Sequence, residues 1–339
     1  MRPRIYITQP VAQSAIARLQ KVADVEWNTD PVHIMTKDEL IAAAKECDIL
    51  FCLLHDHVPR EVIEANPKLK AVASMTSTPA DIDIAAATAR KIPVTVIPAM
   101  LLDDATSDIA WALLLSVVRR VAEGDRLIRT GVFPGSQSSY LEGGTVTGKT
   151  LGIVGMGGIG HAMASRARGF KMKTLYHTRT RRPESEEKAL GMTWVPFDEL
   201  LSRSDIVSIN LKLTPETRHL FSDREFGLMK PTAYLVNTAR GPIVDEQALV
   251  RALKEKRIAG AGLDVYEHEP HPDPALFTMS NVVLTPHMGS AIKEVREIMA
   301  NVVADNILAL LEGKQPPNCW NAEIYAGRSA RPGEHNTVI

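Results

Sequence analysis

Short runs of apolar residues alternate with amphipathic stretches along most of the chain. In the first hundred residues these runs predict strands over residues 5–8, 49–54, 71–75 and 94–97. Between the first two strands, a helix is predicted over residues 36–47. Thr36 can cap this helix, since Glu39 stands three positions later. Alternating strands and helices indicate parallel sheets that are covered by helices on both faces.

The pattern changes at residue 103. Residues 103–121 are apolar on most faces and predict a long buried helix that joins two lobes and is capped by Asp103 or Asp104. After a loop rich in Gly and Ser, a helix over residues 291–311 is expected to close the chain, and the polar tail from Ala326 is expected to fray. The second half also predicts a new series of strands, over residues 150–154, 173–176, 206–210, 233–237, 260–265 and 282–285.

Size and composition narrow the class of protein. A chain of 339 residues exceeds what one hydrophobic core usually supports, so two domains are expected. The net charge of −1 argues against nucleic acid or an anionic membrane as a partner. The longest apolar runs are too short to cross a bilayer, and no signal peptide is expected. Cys47, Cys52 and Cys319 form neither disulfide nor metal-ligand patterns, which favours a cytoplasmic setting and no metal.

A glycine loop provides the first indication of chemistry. Gly155-Met-Gly157-Gly158-Ile159-Gly160 follows a predicted strand and opens a predicted helix that begins at Ile159 or Gly160. Gly155 suits a tight turn, Gly157 lets the backbone approach a pyrophosphate, and Gly160 lets the helix pack closely on the strand. With another strand following, this arrangement predicts a dinucleotide site.

A second glycine motif matches the P-loop formula. Gly143-Gly-Thr-Val-Thr-Gly148-Lys149-Thr150 has its spacing, but the P-loop mechanism needs Lys and Thr to open a helix. Here they run into a predicted strand. A surface turn is therefore favoured over a nucleoside triphosphate site.

The turn after the second strand of this series indicates which dinucleotide is preferred. NAD-specific sites place an acidic residue there, whereas this chain reads Thr178-Arg179-Thr180-Arg181-Arg182 and has no acid before Glu184. Guanidinium groups pair with a 2′-phosphate. The sequence predicts a preference for NADP(H), with NAD(H) possible and Arg179 as the leading contact. The alternative is a solvated basic turn.

Three motifs stand at predicted strand ends, where open α/β sheets bind ligands. They are Asn237-Thr-Ala-Arg240-Gly241, Asp264-Val-Tyr-Glu-His-Glu269-Pro270 and Thr285-Pro-His287-Met-Gly-Ser290. Together with the glycine loop they resemble the D-isomer specific 2-hydroxyacid dehydrogenase family, over nearly the whole chain. The resemblance implies an α/β fold of two doubly wound parallel-sheet lobes. A Rossmann cofactor domain over residues 101–290 is inserted into a flavodoxin-like substrate domain of residues 1–100 and 291–339.

The chemistry of such an enzyme explains the residue types. Reducing a small 2-oxo acid needs a cation to hold the carboxylate, and Arg240 is suited because its planar group stays charged. A proton donor is needed beside the carbonyl oxygen, and His287 can exchange a proton near neutral pH. Glu269 would hydrogen-bond His287, orient the ring and favour its protonated form. Each of the three residues alone could have a purely structural role. Together, however, they occur in the same order along the chain as in the family, which favours the catalytic interpretation.

The resemblance implies further roles. Asp264 matches the position that faces the nicotinamide ring. Thr106 is expected near the cofactor phosphates or nicotinamide. Other expected cofactor contacts are Gly158, Ile159, Leu211, Thr217, Thr238, Ala239 and Gly289. The predicted substrate contacts are Leu54, Ser77, Thr78, Arg240 and His287. The resemblance also implies a homodimer, with the cofactor lobe and the loop near residues 131–145 contributing.

The chain departs from the family in the loop expected to bind the substrate carboxylate. Relatives carry Gly-x-Asp-x-x-Asp where this chain reads Ser77-Thr78-Pro79-Ala80-Asp81-Ile82-Asp83, so Thr78 replaces the glycine and Ala80 an acid. Ser136 stands where relatives often carry Trp. The neighbouring His55-Asp56-His57 could be a metal cluster, but a pocket lining or lid is favoured.

Two kinds of function follow. The favoured one is a reductase of glyoxylate or hydroxypyruvate type that moves a hydride between NAD(P)H and C2 of the acid. A phosphite dehydrogenase is a related alternative, because residues 291–296 resemble that branch, although Ser77 occupies the place of its substrate-loop Lys. The formate dehydrogenase branch uses Gln where Glu269 stands. The second kind is a non-catalytic, dinucleotide-sensing scaffold of the same fold.

Overall fold

The computed structural model describes residues 2–79 and 81–326, so Ala80 and the tail beyond residue 326, where fraying was expected, lie outside the described residues. The chain divides into two compact units. One comprises Met1–Leu101 and Ile292–Ile339, and the other comprises Leu102–Ala291.

The first unit is built on a five-stranded parallel sheet of order β2-β1-β3-β4-β5, which is the flavodoxin-like order. Apolar residues of β3 and β4 are buried on both faces, as expected where helices cover a parallel sheet. The strands are β1 (Arg4–Ile7), β2 (Asp24–Trp27), β3 (Ile49–Cys52), β4 (Ala71–Ser74) and β5 (Val94–Thr95). The helices are α1 (Gln13–Gln20), α2 (Lys37–Glu46), α3 (Arg60–Glu64), α4 (Ile84–Ala89) and, from the end of the chain, α12 (Lys293–Leu311).

Local signals explain two features of this unit. The predicted capping box is confirmed, because Thr36 and Glu39 exchange side-chain and backbone hydrogen bonds at the start of α2. At the end of the chain, Asn321 fastens the segment after α12 to the edge strand β5. Its Oδ1 accepts a hydrogen bond from the Val94 amide (2.8 Å), and its Nδ2 donates one to the Ile92 carbonyl (3.0 Å).

The second unit holds a seven-stranded parallel sheet of order β12-β11-β10-β9-β6-β7-β8. Its strands are β6 (Thr150–Val154), β7 (Lys173–His177), β8 (Met192–Trp194), β9 (Ile206–Ile209), β10 (Tyr234–Asn237), β11 (Gly260–Leu263) and β12 (Val282–Leu284). Its helices are α5 (Asp103–Val118), α6 (Val121–Arg129), α7 (Gly158–Ala167), α8 (Glu184–Leu190), α9 (Phe197–Arg203), α10 (Asp223–Leu228) and α11 (Glu246–Lys254).

This strand order is that of a Rossmann fold with one added strand, since the first six follow the order 3-2-1-4-5-6. The order reverses between β6 and β9, and ligands of open α/β sheets bind at the carboxyl ends of such strands. Two apolar clusters fill the unit. One cluster includes Trp111 of α5 and Met163 of α7. The other includes Phe221, Phe226 and Leu249.

The structure corrects several sequence expectations. Strands β2 and β8 were not predicted, because both are short sheet edges that bury few side chains. The expectation that Asp103 or Asp104 caps the long helix was wrong. Leu102 occupies the cap position without a side-chain bond, and both acids lie in the first turn. The helix also ends at Val118, because Arg120 adopts a left-handed conformation (φ 55°) before α6.

The prediction that residues 143–150, which match the P-loop formula, form a turn is confirmed. Lys149 directly precedes strand β6, and no phosphate-binding helix begins there. Across residues 2–79 and 81–326, none of the helices has both the length and the apolar character that a bilayer crossing requires.

Candidate active site

The glycine loop lies at the point where the sheet order reverses. Gly155 follows β6 with φ 97°, and a Cβ there would lie 2.4 Å from the Asn210 carbonyl oxygen at the end of β9. Gly160 is equally confined, since a Cβ would meet the Gly155 carbonyl oxygen at 2.2 Å. Only glycine permits this turn and this close approach of helix α7.

The start of α7 is open. The helix begins at Gly158, one residue before the expected range, and Gly157 occupies its cap position without a side-chain bond. Both residues are exposed, and a Cβ on Gly157 would meet no atom within 4 Å. Ile159 lies half-buried on the same turn. The backbone amides of this turn are therefore available to an anionic group.

A buried polar cluster lies beside the strand ends. Asp264 follows β11 and is fully buried; its Oδ1 accepts hydrogen bonds from the Thr285 hydroxyl (2.6 Å) and the Met288 amide (2.7 Å). A Cβ built on Gly289 would lie 3.4 Å from Thr106 Oγ1 and 3.5 Å from Asp264 Oδ2. The structure thus brings together Thr106, Asp264 and Gly289, which the sequence places far apart.

The cluster has unsatisfied polar atoms. Asp264 Oδ2 and Thr238 Oγ1 are buried and have no hydrogen-bond partner among the described residues. Burial raises the pKa of Asp264, because it disfavours the charged carboxylate. Buried polar atoms in native proteins are normally paired, so these two atoms fit a ligand that supplies hydrogen-bonding groups.

Arg240 is carried by a tightly shaped turn after β10. Asn237 braces the turn, since its Oδ1 accepts a hydrogen bond from the Ala239 amide (3.0 Å) and its Nδ2 donates one to the Arg240 carbonyl (3.1 Å). A Cβ on Gly241 would lie 1.7 Å from the Tyr266 carbonyl oxygen. Arg240 Nη1 donates a hydrogen bond to the Ala239 carbonyl (2.7 Å). The turn after β10 therefore packs directly on the segment after β11.

Glu269 and His287 form a hydrogen-bonded pair. Glu269 Oε2 lies 2.7 Å from His287 Nδ1, and the two side chains are 19% and 17% exposed. The Tyr266 amide donates a hydrogen bond to the other carboxylate oxygen of Glu269 (3.1 Å). His287 has a left-handed backbone (φ 53°), a strained conformation that often marks functional positions. The carboxylate fixes which ring nitrogen faces it, and so fixes the ring's orientation.

Sequence reasoning missed Glu246, which holds the segment that carries Glu269. Glu246 is buried at the start of α11, and its carboxylate accepts hydrogen bonds from the amides of Glu267 (2.9 Å) and Asp273 (2.6 Å). Its own amide donates one to the Glu267 carboxylate (3.1 Å). In the sequence, Glu246 resembles an ordinary acidic residue in the first turn of a helix. Only the fold shows that its side chain binds the segment over residues 267–273.

Two arginines of the basic turn after β7 pair with glutamates of helix α8. Arg181 pairs with Glu187 at 2.7 Å, and Arg182 pairs with Glu186 at 3.0 Å. Arg179 forms no ion pair or hydrogen bond with the rest of the described chain. The neighbouring Thr178 hydroxyl donates a hydrogen bond to the Thr180 carbonyl (2.6 Å).

Two further predicted cofactor contacts lie after β9. A Cβ on Gly155 would lie 2.9 Å from Leu211 Cδ2, so Leu211 packs against the glycine loop. The Thr217 hydroxyl is used within its own turn, where it donates a hydrogen bond to the Lys212 carbonyl (2.8 Å).

The predicted substrate loops belong to the first unit. After β4, the Thr76 hydroxyl donates a hydrogen bond to the Thr78 carbonyl (2.8 Å). The amides of Ser77 and Thr78 donate no hydrogen bond within residues 2–79 and 81–326. After β3, buried Asp56 accepts hydrogen bonds from the Leu53 amide (2.6 Å) and the Thr8 hydroxyl, which shapes the loop that carries Leu54. The Asp56 side chain thus has a structural role in this loop, while His57 is exposed.

The comparison with known proteins identifies the class. The family model for the NAD binding domain of D-isomer specific 2-hydroxyacid dehydrogenases matches residues 111–289. The chain belongs to this family, as the sequence motifs predicted.

Individual relatives match over nearly the whole chain. The glyoxylate reductase of Thermococcus litoralis is 45% identical over 328 residues, which is 96% of this chain and 98% of that protein. The crystal structure of the TT0316 protein from Thermus thermophilus is 39% identical and has a TM-score of 0.87, covering 94% of this chain and 99% of that one. The NADPH-dependent glyoxylate/hydroxypyruvate reductase of Sinorhizobium meliloti, solved with NADP and malonate, is 30% identical and has a TM-score of 0.76, covering 94% and 97%.

The second unit fits the nicotinamide dinucleotide that the family binds. The open start of α7 suits a pyrophosphate, and the unpaired atoms of Asp264 and Thr238 suit a polar ligand group at the strand ends.

Proposed function

We propose that this protein reduces a small 2-oxo acid of the glyoxylate or hydroxypyruvate type to the corresponding 2-hydroxy acid, with NADPH as the preferred reductant. The observation that carries the proposal is the Glu269–His287 hydrogen bond, beside the buried Asp264, in a member of this dehydrogenase family. A proton donor oriented by a carboxylate next to a dinucleotide site suits reduction of a carbonyl group.

Each proposed catalytic residue has one task. When bound, the reduced cofactor supplies a hydride to C2 of the acid. His287 donates a proton to the carbonyl oxygen from Nε2, since Nδ1 faces the Glu269 carboxylate at 2.7 Å. Glu269 orients the ring and stabilises its charged form. Arg240 holds the substrate carboxylate and polarises the carbonyl group. One hydride and one proton thereby convert the carbonyl group at C2 into an alcohol.

Residues on two loops of the first unit are also proposed as substrate contacts. The amides of Ser77 and Thr78 have no other hydrogen-bond acceptor within the described chain, so they suit an anionic carboxylate. Leu54 is proposed to contact the rest of the acid from a loop that Asp56 keeps in place.

The preference for NADPH is proposed from the turn after β7. Two of its three arginines are paired with glutamates of α8, whereas Arg179 is not, and the turn has no acid that would repel a 2′-phosphate. The S. meliloti relative was itself solved with NADP. Replacing Arg179 by Ala is expected to lower kcat/KM with NADPH about tenfold and to change it little with NADH. Arg182→Ala is the matched control, since it removes the same charge from the same turn.

The function is tested by initial rates of NADPH and NADH oxidation with glyoxylate, hydroxypyruvate and pyruvate. Turnover of at least one acid, with higher kcat/KM for NADPH, is expected. Tight NADPH binding without turnover of any acid would favour a non-catalytic, dinucleotide-sensing scaffold instead. A strong preference for NADH would overturn only the cofactor assignment.

We also propose a homodimer. Helix α6 and the loop after it expose large apolar side chains, with Phe133 76% and Val121 58% exposed, followed by Val132 and Ile128. Exposed apolar surface of this kind typically marks a protein interface. Light scattering during gel filtration should give twice the chain mass of 37.1 kDa, and Phe133→Asp should shift the protein toward the monomer.

A further inference from the structure

A carboxylate lies against the first residue of the cofactor-binding helix. Asp103 is the first residue of α5, and Gly158 is the first residue of α7. A Cβ built on Gly158 would lie 1.9 Å from Asp103 Oδ2 and 2.4 Å from Oδ1. The Asp103 carboxylate therefore fills the space that any side chain at position 158 would need.

Asp103 forms no hydrogen bond or ion pair with other residues of the described chain. Burial and the neighbouring Asp104 raise the pKa of Asp103, while His161 on α7 lowers it. Asp104 differs, because it is 85% exposed and pairs with Arg166 at 3.1 Å. Of the two adjacent acids, only Asp103 is directed at the glycine loop.

The Asp103 carboxylate lies where a negative charge disfavours anion binding by the glycine loop. The start of α7 offers backbone amides and the positive end of the helix dipole to a pyrophosphate. The Asp103 carboxylate at the same helix end repels the pyrophosphate and competes with it for the favourable interaction with the helix dipole. A cation, or a neutral side chain, would strengthen binding at this position.

We propose that Asp103 sets the affinity of the protein for its dinucleotide, by opposing the pyrophosphate at the start of α7, and that Gly158 is the steric counterpart of this carboxylate. The inference rests on the proposed dinucleotide binding by the glycine loop. The charge of Asp103 weakens cofactor binding, and weaker binding favours release of the oxidised cofactor after each turnover.

The test measures cofactor binding directly. The Kd of the full chain for NADPH is determined by isothermal titration calorimetry for the wild type and for Asp103→Asn. Two unit charges a few ångströms apart in partly screened surroundings change an affinity by about tenfold. The Asn variant should therefore bind about five- to tenfold more tightly. The difference should shrink in high salt, because salt screens partly exposed charges.

Asp104→Asn is the matched control, since it removes the same charge from the same helix turn and should change the Kd less than twofold. Gly158→Ala tests the steric part. It should weaken binding in the wild type, but much less in a chain that also carries Asp103→Ala. Thermal melts establish that each variant is folded, and Asp103→Ser serves if the Asn variant is not.

The outcomes separate this inference from the proposed function. If the wild type does not bind NADPH or NADH at all, the proposed function fails. If the wild type binds but Asp103→Asn binds equally or more weakly, or if Asp104→Asn tightens binding as much, the role of Asp103 is refuted while the proposed function stands.

Discussion

Replacing Glu269 by Gln tests the hydrogen bond on which the proton-donor assignment depends. The carboxylate lies 2.7 Å from His287 Nδ1, with both side chains largely shielded from water. Gln has the same shape and can still accept the hydrogen bond from the Tyr266 amide, which measures 3.1 Å. Its amide nitrogen can only donate to Nδ1, so it no longer stabilises a ring that carries protons on both nitrogens.

The size of the effect follows from the geometry. A hydrogen bond to a charged group contributes about 1.5–3 kcal/mol, and about 1.4 kcal/mol corresponds to a tenfold change in rate. We therefore expect kcat/KM for glyoxylate reduction to fall about 10- to 150-fold. The Kd for NADPH should stay within about twofold, because Glu269 is not proposed to contact the cofactor. Initial rates at 340 nm and calorimetric titration measure the two quantities.

A control separates this effect from a general loss of charge. Glu255, the residue at the carboxyl end of α11, has a side chain that pairs with Arg257 at 2.7 Å, far along the helix from Glu246. Glu255→Gln removes this carboxylate, so the activity of the variant should match the wild type. The reasoning is refuted if Glu269→Gln reduces glyoxylate within threefold of the wild-type kcat/KM.

Three further substitutions test the site and the fold. Burial raises the pKa of Asp264, so its charge opposes folding. This cost is absent below the ordinary pKa of 3.8, grows as the pH rises from there to the raised pKa of the folded state, and stays constant above it. Asp264→Asn should therefore raise the free energy of unfolding over the wild type by about 1 kcal/mol at pH 7.5 and by less at pH 4.5, which thermal melts at the two pH values measure; an equal gain at both would contradict this. Gly241→Ala places a Cβ 1.7 Å from the Tyr266 carbonyl oxygen, so thermal melts should show a loss of about 1–3 kcal/mol and initial rates a lower kcat; wild-type values for both would contradict the close packing. Asn321→Ala removes the hydrogen bonds to the Val94 amide and the Ile92 carbonyl, and urea unfolding should show a loss of about 1–3 kcal/mol while the Kd for NADPH is unchanged; wild-type stability together with a changed Kd would contradict this structural role.

The parts of the fold that follow from local pattern were predictable. The buried strands β3, β4, β6 and β9 read as apolar runs, and the Thr36–Glu39 capping box stands at a fixed spacing. The edge strands β2 and β8 were missed, since an edge strand buries too little apolar surface to leave a clear pattern.

Site residues were predictable where a motif marks a strand end. The glycine loop, Asp264, Glu269 and His287 stand in short motifs whose spacing indicates their chemistry. Glu246 and Asp103 carry no such mark. Their importance comes from contacts with segments distant in sequence, at 267–273 and at Gly158, which only the packing of α11 and α5 creates.

The most direct test of the proposed reaction follows the hydride itself. Wild-type protein is incubated with glyoxylate and NADPH that carries deuterium at both C4 positions of the nicotinamide, and the glycolate formed is analysed by mass spectrometry. We expect one deuterium at C2 of each glycolate molecule. Unlabelled glycolate, or no turnover of glyoxylate or any other small 2-oxo acid, would contradict the assignment.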